Sequence, residues 1–164
     1  GQTGAILSML AVGMIFGSPM QSFLSNRVLK GRKPVIVLSS CIVLFLTAAL
    51  AFRTDGIPVF ALYLLCLGLG IFSSAVVVIG FTAAKELFPV RMAGTATGLV
   101  NLFPFAGGAV FQPVLGWVLE HHGRVGESFT LAGYRQAMLV LFFCAVIAAV
   151  SGLFMKETMP KMKR

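Results

Sequence analysis

"VFALYLLCLGLGIFSSAVVVIGFTAA", residues 59–84, is an apolar stretch of 26 residues without a charged side chain. A helix of about 20 such residues is long enough to cross the hydrocarbon core of a bilayer. Four further stretches have the same length and character. The sequence therefore predicts an all-α, polytopic membrane helix bundle, organised as one transmembrane domain over residues 1–164. The predicted spans are Gly4–Leu24, Val35–Phe52, Val59–Ala84, Ala93–Leu119 and Tyr134–Met155, followed by a tail at 156–164.

The composition agrees with that of a protein embedded in a lipid bilayer. The 164 residues are 58% hydrophobic and 11% charged, whereas soluble domains are about 45–50% apolar and about 25% charged. The net charge of +8 resides between and after the spans, so it does not indicate nucleic acid as a partner. The cysteines are isolated from one another and from histidine. We therefore expect no metal site and no cofactor.

The basic residues also predict an orientation. Loops on one side of the membrane hold ten of the 13 lysines and arginines, and loops on the other side hold three. The positive-inside tendency makes the richer side cytoplasmic, which places the C-terminus inside and Gly1 outside, so that we expect a further span upstream. The ten are Arg27, Lys30, Arg32, Lys33, Lys85, Arg91, Lys156, Lys161, Lys163 and Arg164; the three are Arg53, Arg124 and Arg135.

The fourth span interrupts its apolar pattern with polar and helix-weakening residues: "GTATGLVNLFPFAGGAVFQPVLG", residues 94–116. At about 100° per residue, both amides and most of the glycines fall on one side of the helix. We call this side the amide face, and it consists of Gly94, Gly98, Asn101, Phe105, Gly108, Gln112 and Gly116. Its amides suit either a solute cavity or hydrogen bonds to a neighbouring helix. Pro104 and Pro113 each remove a backbone donor and are predicted bend points.

Two further residues are candidates for the same cavity. Ser73 lies on a stripe of small residues in the third span, and Gln21 lies near the end of the first span. A helix-capping or interfacial role is the alternative for Gln21. Small residues also recur in the first, third and fourth spans, which predicts that these three pack closely and that the second and fifth face lipid.

Three segments carry a family resemblance. "GSPMQSFLSNRVLKGRKPV", residues 17–35, resembles the loop between the eighth and ninth helices of major facilitator superfamily transporters. "KELFPVRMAGTATG", residues 85–98, resembles the turn before their eleventh helix, and "MKET", residues 155–158, resembles their C-terminal end. The resemblance implies that the chain forms helices eight to twelve, most of one six-helix half of a twelve-helix transporter.

The resemblance also implies a role for the first of these loops. In the family it acts as a gate, in which basic residues pair across helices. Arg27, Gly31, Arg32 and Lys33 match the motif, and Asn26 stands where the family has Asp. Glu86 and Arg91 of the second loop are candidate partners. The alternative is that the first loop only sets the topology.

The function expected from the resemblance is secondary transport of a small solute by alternating access. The partners would be the solute, the lipid bilayer of a bacterial cytoplasmic membrane and the N-terminal helices of the same transporter. The span interiors lack carboxylates, so any proton relay would lie in another part of the protein. Alternatives are a small membrane accessory protein and a dimerising half-transporter. An enzyme is not expected, because no span holds a nucleophile and a base together.

Overall fold

The computed structural model describes residues 1–126 and 128–159, and these residues form a bundle of five long helices. Each helix is long and apolar enough to cross a membrane, which confirms the predicted fold class. Residues 160–164 of the predicted tail, with Lys161, Lys163 and Arg164, lie outside the described residues. The helices are α1 (Gln2–Phe23), α2 (Lys33–Phe52), α3 (Val59–Leu87), α4 (Ala93–His121) and α5 (Leu131–Phe154).

Proline and threonine mark where several helices begin. Pro34 lies in the first turn of α2, and Pro58 directly precedes α3. Proline suits these positions because the first helical N–H groups have no partner within the helix. At the start of α5, the Thr130 hydroxyl accepts a hydrogen bond of 3.1 Å from the backbone N–H of Gly133. Such caps satisfy donors that lipid cannot satisfy.

The tightest helix contact joins α1 to α3. A Cβ atom added at Gly17 would lie 2.5 Å from the Ile71 carbonyl oxygen and 2.6 Å from the Ser74 hydroxyl. Gly13 and Gly70 face each other in the same way, one α-helical turn away. Without side chains at these positions the two backbones touch, which is the packing mode that small residues four apart allow in membranes. This part of the predicted close packing is present.

Helix α2 lies in the middle of the bundle, between α3 and α5. Val35 and Ala51 of α2 are completely buried, and Val35 packs in one cluster with Ala75 and Ile79 of α3. Gly152 of α5 is buried as well, against Ile36 and Val37 of α2. The second span is thus buried on one side, whereas Phe45 on α2 is 74% exposed, so the expectation that this span faces lipid stays a prediction for that side. Its apolar side chains fit a helix interface as well as they fit lipid, so composition alone could not separate the two.

Helix α4 is the least buried of the five. Ala96 is its one residue in the buried class. A Cβ atom added at any of its glycines would meet no described atom within 4 Å. The described residues therefore do not supply the close packing predicted for the fourth span, which stays a prediction. Glycine permits a close approach, but it does not create the partner.

A short hairpin joins α4 to α5. Its strands are β1 (Arg124–Val125) and β2 (Ser128–Phe129), paired antiparallel. The Arg124 guanidinium lies 4.7 Å from the centre of the Phe129 ring, within the range of a cation–π contact. The sequence did not predict these strands, because two residues are too few to show the alternating pattern of a strand.

The α1–α3 contact can be tested by adding one methyl group. We expect Gly17→Ala to lower the free energy of unfolding by about 1–3 kcal/mol, the usual cost of overpacking a filled interface. The measurement is unfolding in mixed detergent micelles, followed by far-ultraviolet circular dichroism.

Gly80→Ala in α3 is the matched control. Its added methyl group has no described atom within 4 Å, and alanine favours a helix by about 1 kcal/mol over glycine. Equal stability of the Gly17→Ala variant and the parent protein would contradict the close contact.

Candidate functional site

The turn after α1 places several polar side chains at one end of the bundle. Residues Leu24–Val28 continue α1 as one wider, π-helical turn. The chain then reverses through Lys30, whose φ angle is 46°. The Ser25 hydroxyl donates to the Gly31 carbonyl oxygen at 2.9 Å, and the Gly31 N–H donates back to the Ser25 carbonyl at 3.1 Å. These two bonds close the turn and bring Arg32 over the helix end.

The Arg32 side chain is the centre of this end. Its Nη2 atom lies 2.8 Å from Glu86 Oε1, and its Nε atom also donates to that carboxylate. Its Nη1 atom donates to the Ser25 hydroxyl at 2.8 Å and to Asn26 Oδ1 at 2.7 Å. The planar guanidinium therefore joins the α1 turn to the end of α3. Such a two-pronged pairing is the geometry in which arginine binds carboxylates best.

The segment after α5 completes the same group of residues. The Glu157 carboxylate accepts hydrogen bonds from the backbone N–H groups of Arg32 at 2.8 Å and Lys33 at 3.1 Å. It thus caps the start of α2, where a negative charge is favoured. The Thr158 hydroxyl donates to Glu86 Oε2 at 2.7 Å. We call the whole group the arginine cluster: Ser25, Asn26, Arg32, Glu86, Glu157 and Thr158.

The gate residues expected from sequence divide into two sets. Asn26, Arg32 and Glu86 come together in the arginine cluster. Gly31 is buried beneath it, and Lys33 contributes its backbone N–H. The side chains of Arg27 and Arg91 are exposed. Within the part of the chain that the structure describes, neither has a hydrogen-bond or ion-pair partner.

Gln21 does not line a cavity, so the prediction that it is a cavity residue is corrected. It is completely buried. Its Nε2 atom donates to the Ile71 carbonyl oxygen and its Oε1 atom accepts from the Ser39 hydroxyl, both at 3.3 Å. Gln21 therefore links α1 to α2 and α3. Its amide serves as a hydrogen-bonded contact between helices, as polar residues in membrane bundles often do.

The amide face of α4 is presented away from the other helices. Asn101, Phe105 and Gln112 are exposed, and Gly108 is half-buried. Phe105 is 71% exposed. None of the three exposed side chains bonds to another residue among those described. Helix α4 continues through Pro104 and Pro113 as one α-helix.

Ser73 lies in a different place from the amide face. It lines a cavity of about 520 Å³ between α2, α3, α4 and α5, which we call the apolar cavity. The α4 residues of this cavity include Val100 and Pro104. At about 100° per residue, Val100 lies about 125° and Pro104 about 85° around the helix axis from the centre of the amide face. Ser73 and Gln112 therefore do not share one cavity within the described chain.

Sequence reasoning missed three members of the arginine cluster. Ser25, Glu157 and Thr158 lie within the segments that carry the resemblance, but nothing in those segments distinguishes them as members of the cluster around Arg32. One available signal was that an acidic residue, Glu157, lies two positions after the last predicted span, on the same side as the start of α2. A carboxylate at that position can cap a helix whose first N–H groups are free.

Comparison with known proteins agrees with this architecture. The sequence profile of the Major Facilitator Superfamily matches residues 1–164. The chain therefore belongs to the major facilitator superfamily. It is an integral, multi-pass membrane protein of this superfamily, whose members are transporters and not enzymes.

Two curated relatives also match. One is the glycerol-3-phosphate transporter of Haemophilus influenzae, 41% identical over 51 residues, which are 30% of this chain and 11% of the relative. The other is the glycine betaine/proline/ectoine/pipecolic acid transporter OusA of Dickeya dadantii, 27% identical over 95% of this chain and 29% of the relative. The chain thus corresponds to less than a third of the length of either relative. No solved structure matches it.

Arg32 and Arg27 offer a matched test of the arginine cluster. We expect Arg32→Gln to lower the free energy of unfolding by about 2 kcal/mol, because charged hydrogen bonds contribute about 1.5–3 kcal/mol and Glu86 loses its cation. The side chains of Arg32 and Glu86 are only 10% and 19% exposed, so water screens the pair weakly. We expect Arg27→Gln to change stability by no more than about 0.5 kcal/mol. Equal effects of the two substitutions, measured by unfolding in detergent, would contradict the pairing.

Glu157 predicts how acid affects this end of the bundle. Burial acts to raise the pKa of Glu157, but hydrogen bonds from the backbone N–H groups of Arg32, Met159 and Lys33 outweigh it, so the pKa is lowered overall. A lowered pKa in the folded state means that the carboxylate stabilises the protein above the ordinary carboxyl range. That stabilisation is lost as pH falls through the lowered pKa.

The test compares Glu157→Gln with the parent protein across this acid range. We expect the parent to lose its stability advantage over the variant as pH falls, because the uncharged amide does not titrate. Parallel stability curves at every pH would show that the Glu157 cap has no such role.

Proposed function

We propose that the chain forms helices eight to twelve of a major-facilitator-type secondary transporter and that the whole protein moves a small solute by alternating access. The exposed amide face of α4 carries this proposal. Asn101, Phe105 and Gln112 are polar and aromatic residues within a span, and no other described helix covers them. Exposed amides in a membrane span need a polar partner. A solute cavity shared with the N-terminal helices would supply one.

The solute that suits this face carries no net charge. The amide face offers hydrogen-bond donors and acceptors but no lysine or arginine. A phosphate ester would need cationic groups from elsewhere in the protein. A zwitterion such as glycine betaine or proline is neutral overall, and the Phe105 ring can face a quaternary ammonium through a cation–π contact. OusA, which aligns with almost the whole chain, is named for solutes of this kind.

In this proposal the arginine cluster belongs to the cytoplasmic gate. It lies at the end of the bundle that holds most of the basic residues, which the positive-inside tendency assigns to the cytoplasm. The protein would then reside in a bacterial cytoplasmic membrane with its C-terminus inside. Because Asn26 brings no charge, Arg32 takes its negative partner from Glu86. A proton relay, if transport is proton-coupled, would lie in the N-terminal helices.

The family match over the whole chain supports transport over the accessory-protein alternative. An accessory protein would use the amide face only as a contact surface. Variants of that face would then change assembly but would not change the affinity of transport for its solute. This difference allows one experiment to separate the two functions.

Gln112 is the residue to test. We expect Gln112→Leu to lower kcat/KM for uptake by about two- to twelvefold, the equivalent of one neutral hydrogen bond. Gln112→Asn should have a smaller effect, because it keeps the amide. The measurement is uptake of glycine betaine, proline and glycerol-3-phosphate by vesicles that contain the full-length protein, with and without a proton gradient.

Gln136→Leu is the matched control, because Gln136 is an exposed amide on a different helix, α5. Its uptake should equal that of the parent protein at equal protein level. Unchanged uptake in both Gln112 variants would remove this residue from the solute site. Failure of the parent protein to transport glycine betaine and proline, whether or not it transports glycerol-3-phosphate, would reject the proposed solute class.

A further inference from the structure

The last turn of α4 holds two neighbouring histidines that the proposed transport function does not use. The His121 ring is stacked on the Trp117 ring, one helical turn earlier, with ring centres 5.2 Å apart and 19° between the ring planes. The His122 ring lies edge-on to His121, and its Nδ1 atom is 2.8 Å from the Val118 carbonyl oxygen. Because a carbonyl only accepts, this Nδ1 atom carries a hydrogen. Both imidazoles are therefore in contact with the end of α4.

The same turn joins α4 to α5. The His122 carbonyl oxygen accepts a hydrogen bond of 3.0 Å from the Thr130 hydroxyl, and the Gly123 carbonyl oxygen accepts one of 3.2 Å from the Thr130 N–H. Thr130 is also the residue that caps the start of α5. A change that stabilises the last turn of α4 therefore also stabilises its attachment to α5.

Protonation strengthens both histidine contacts. Histidine is the side chain whose charge changes between about pH 5 and 8. A cation within about 6 Å of a tryptophan ring is attracted to the face of that ring, so an imidazolium ion binds the indole more strongly than neutral imidazole does. A hydrogen bond from a charged donor is likewise stronger than one from a neutral donor. The carbonyl end of a helix adds to this preference, because it favours positive charge.

Two charged side chains, Glu120 and Arg124, flank the histidines in the sequence. The Glu120 carboxylate lies 3.8 Å from the Arg124 guanidinium, so the positive charge of Arg124 is partly balanced. The other titratable residues of the elements that adjoin this turn are Tyr134 and Arg135, at the start of α5, and Glu127 of the hairpin, which lies outside the described residues.

We propose that His121 and His122 make the junction between α4 and α5 responsive to pH. When the two rings bind protons, the last turn of α4 is held more tightly, and when they lose these protons it loosens. The junction lies at the end of α4 that is opposite the arginine cluster, so it responds to the pH on one side of the membrane. This inference rests on contacts within the chain and does not depend on the proposed transport function.

Trp117 is the single tryptophan of this chain, so its fluorescence tests the contact with His121 directly. An imidazolium ion in contact with an indole ring quenches the emission of that ring more strongly than neutral imidazole does. The measurement uses the full-length protein in lipid nanodiscs between about pH 5 and 8, and the signal of the Trp117→Phe variant is subtracted. We expect Trp117 emission to decrease as the pH falls, and we expect this loss to be absent in His121→Gln.

His122→Gln is the matched control. It removes the neighbouring imidazole but leaves the stack of His121 on Trp117, so it should keep the pH-dependent quenching. Trp117 emission that does not change over this pH range would overturn the proposal. Quenching of the parental size in His121→Gln would overturn it as well, because another group would then be responsible.

Amide hydrogen exchange of residues 118–123 tests the junction itself. The parent protein is compared at each pH with the double variant His121→Gln and His122→Gln, so that the intrinsic pH dependence of exchange cancels. We expect the protection of the parent relative to the variant to rise by about twofold or more from the alkaline to the acidic end of the range. A ratio that is the same at every pH would show that protonation does not tighten the junction. Both side chains are exposed, so we expect the variants to fold.

Discussion

The backbone contact between α1 and α3 is the constraint on which the rest of the arrangement depends. In a bilayer the hydrophobic effect does not press helices together, so close van der Waals contact must do so. Gly13, Gly17 and Gly70 permit that contact. With the helices at this distance, Gln21 reaches the Ile71 carbonyl. The turn that follows α1 then lies where Arg32 can meet both Asn26 and Glu86.

The sequence predicted the membrane helices well because each depends only on local properties. Length, apolarity and the absence of charge are sufficient to define a span. The pairing of Arg32 with Glu86 was also within reach, since two short loops on one side of the membrane are forced to be close together. The same reasoning could not show which basic residue of the first loop, Arg27, Arg32 or Lys33, pairs with Glu86. Which arginine turns inward depends on the wide turn at Leu24–Val28, whose geometry has no clear sequence signature.

The errors have a common physical origin. A residue pattern shows which side chains share a face, but it does not show which residues that face contacts. The glycines of α4 share a face just as those of α1 do, yet only those of α1 meet another backbone. Gln21 and Gln112 are both amides in apolar helices. The first is completely buried between helices, and the second is exposed. Glu157 contacts Arg32 from 125 residues away along the chain, a distance over which local spacing carries no information.

The cap that Glu157 makes has a consequence for biosynthesis. The start of α2 enters the membrane long before residue 157 has been synthesised, so its free N–H groups and the Arg32 charge must first be satisfied by water or by other groups. Only after α5 has inserted can Glu157 and Thr158 reach them. The arginine cluster is thus completed only after α5 has inserted, so its hydrogen bonds form when all five helices are in position.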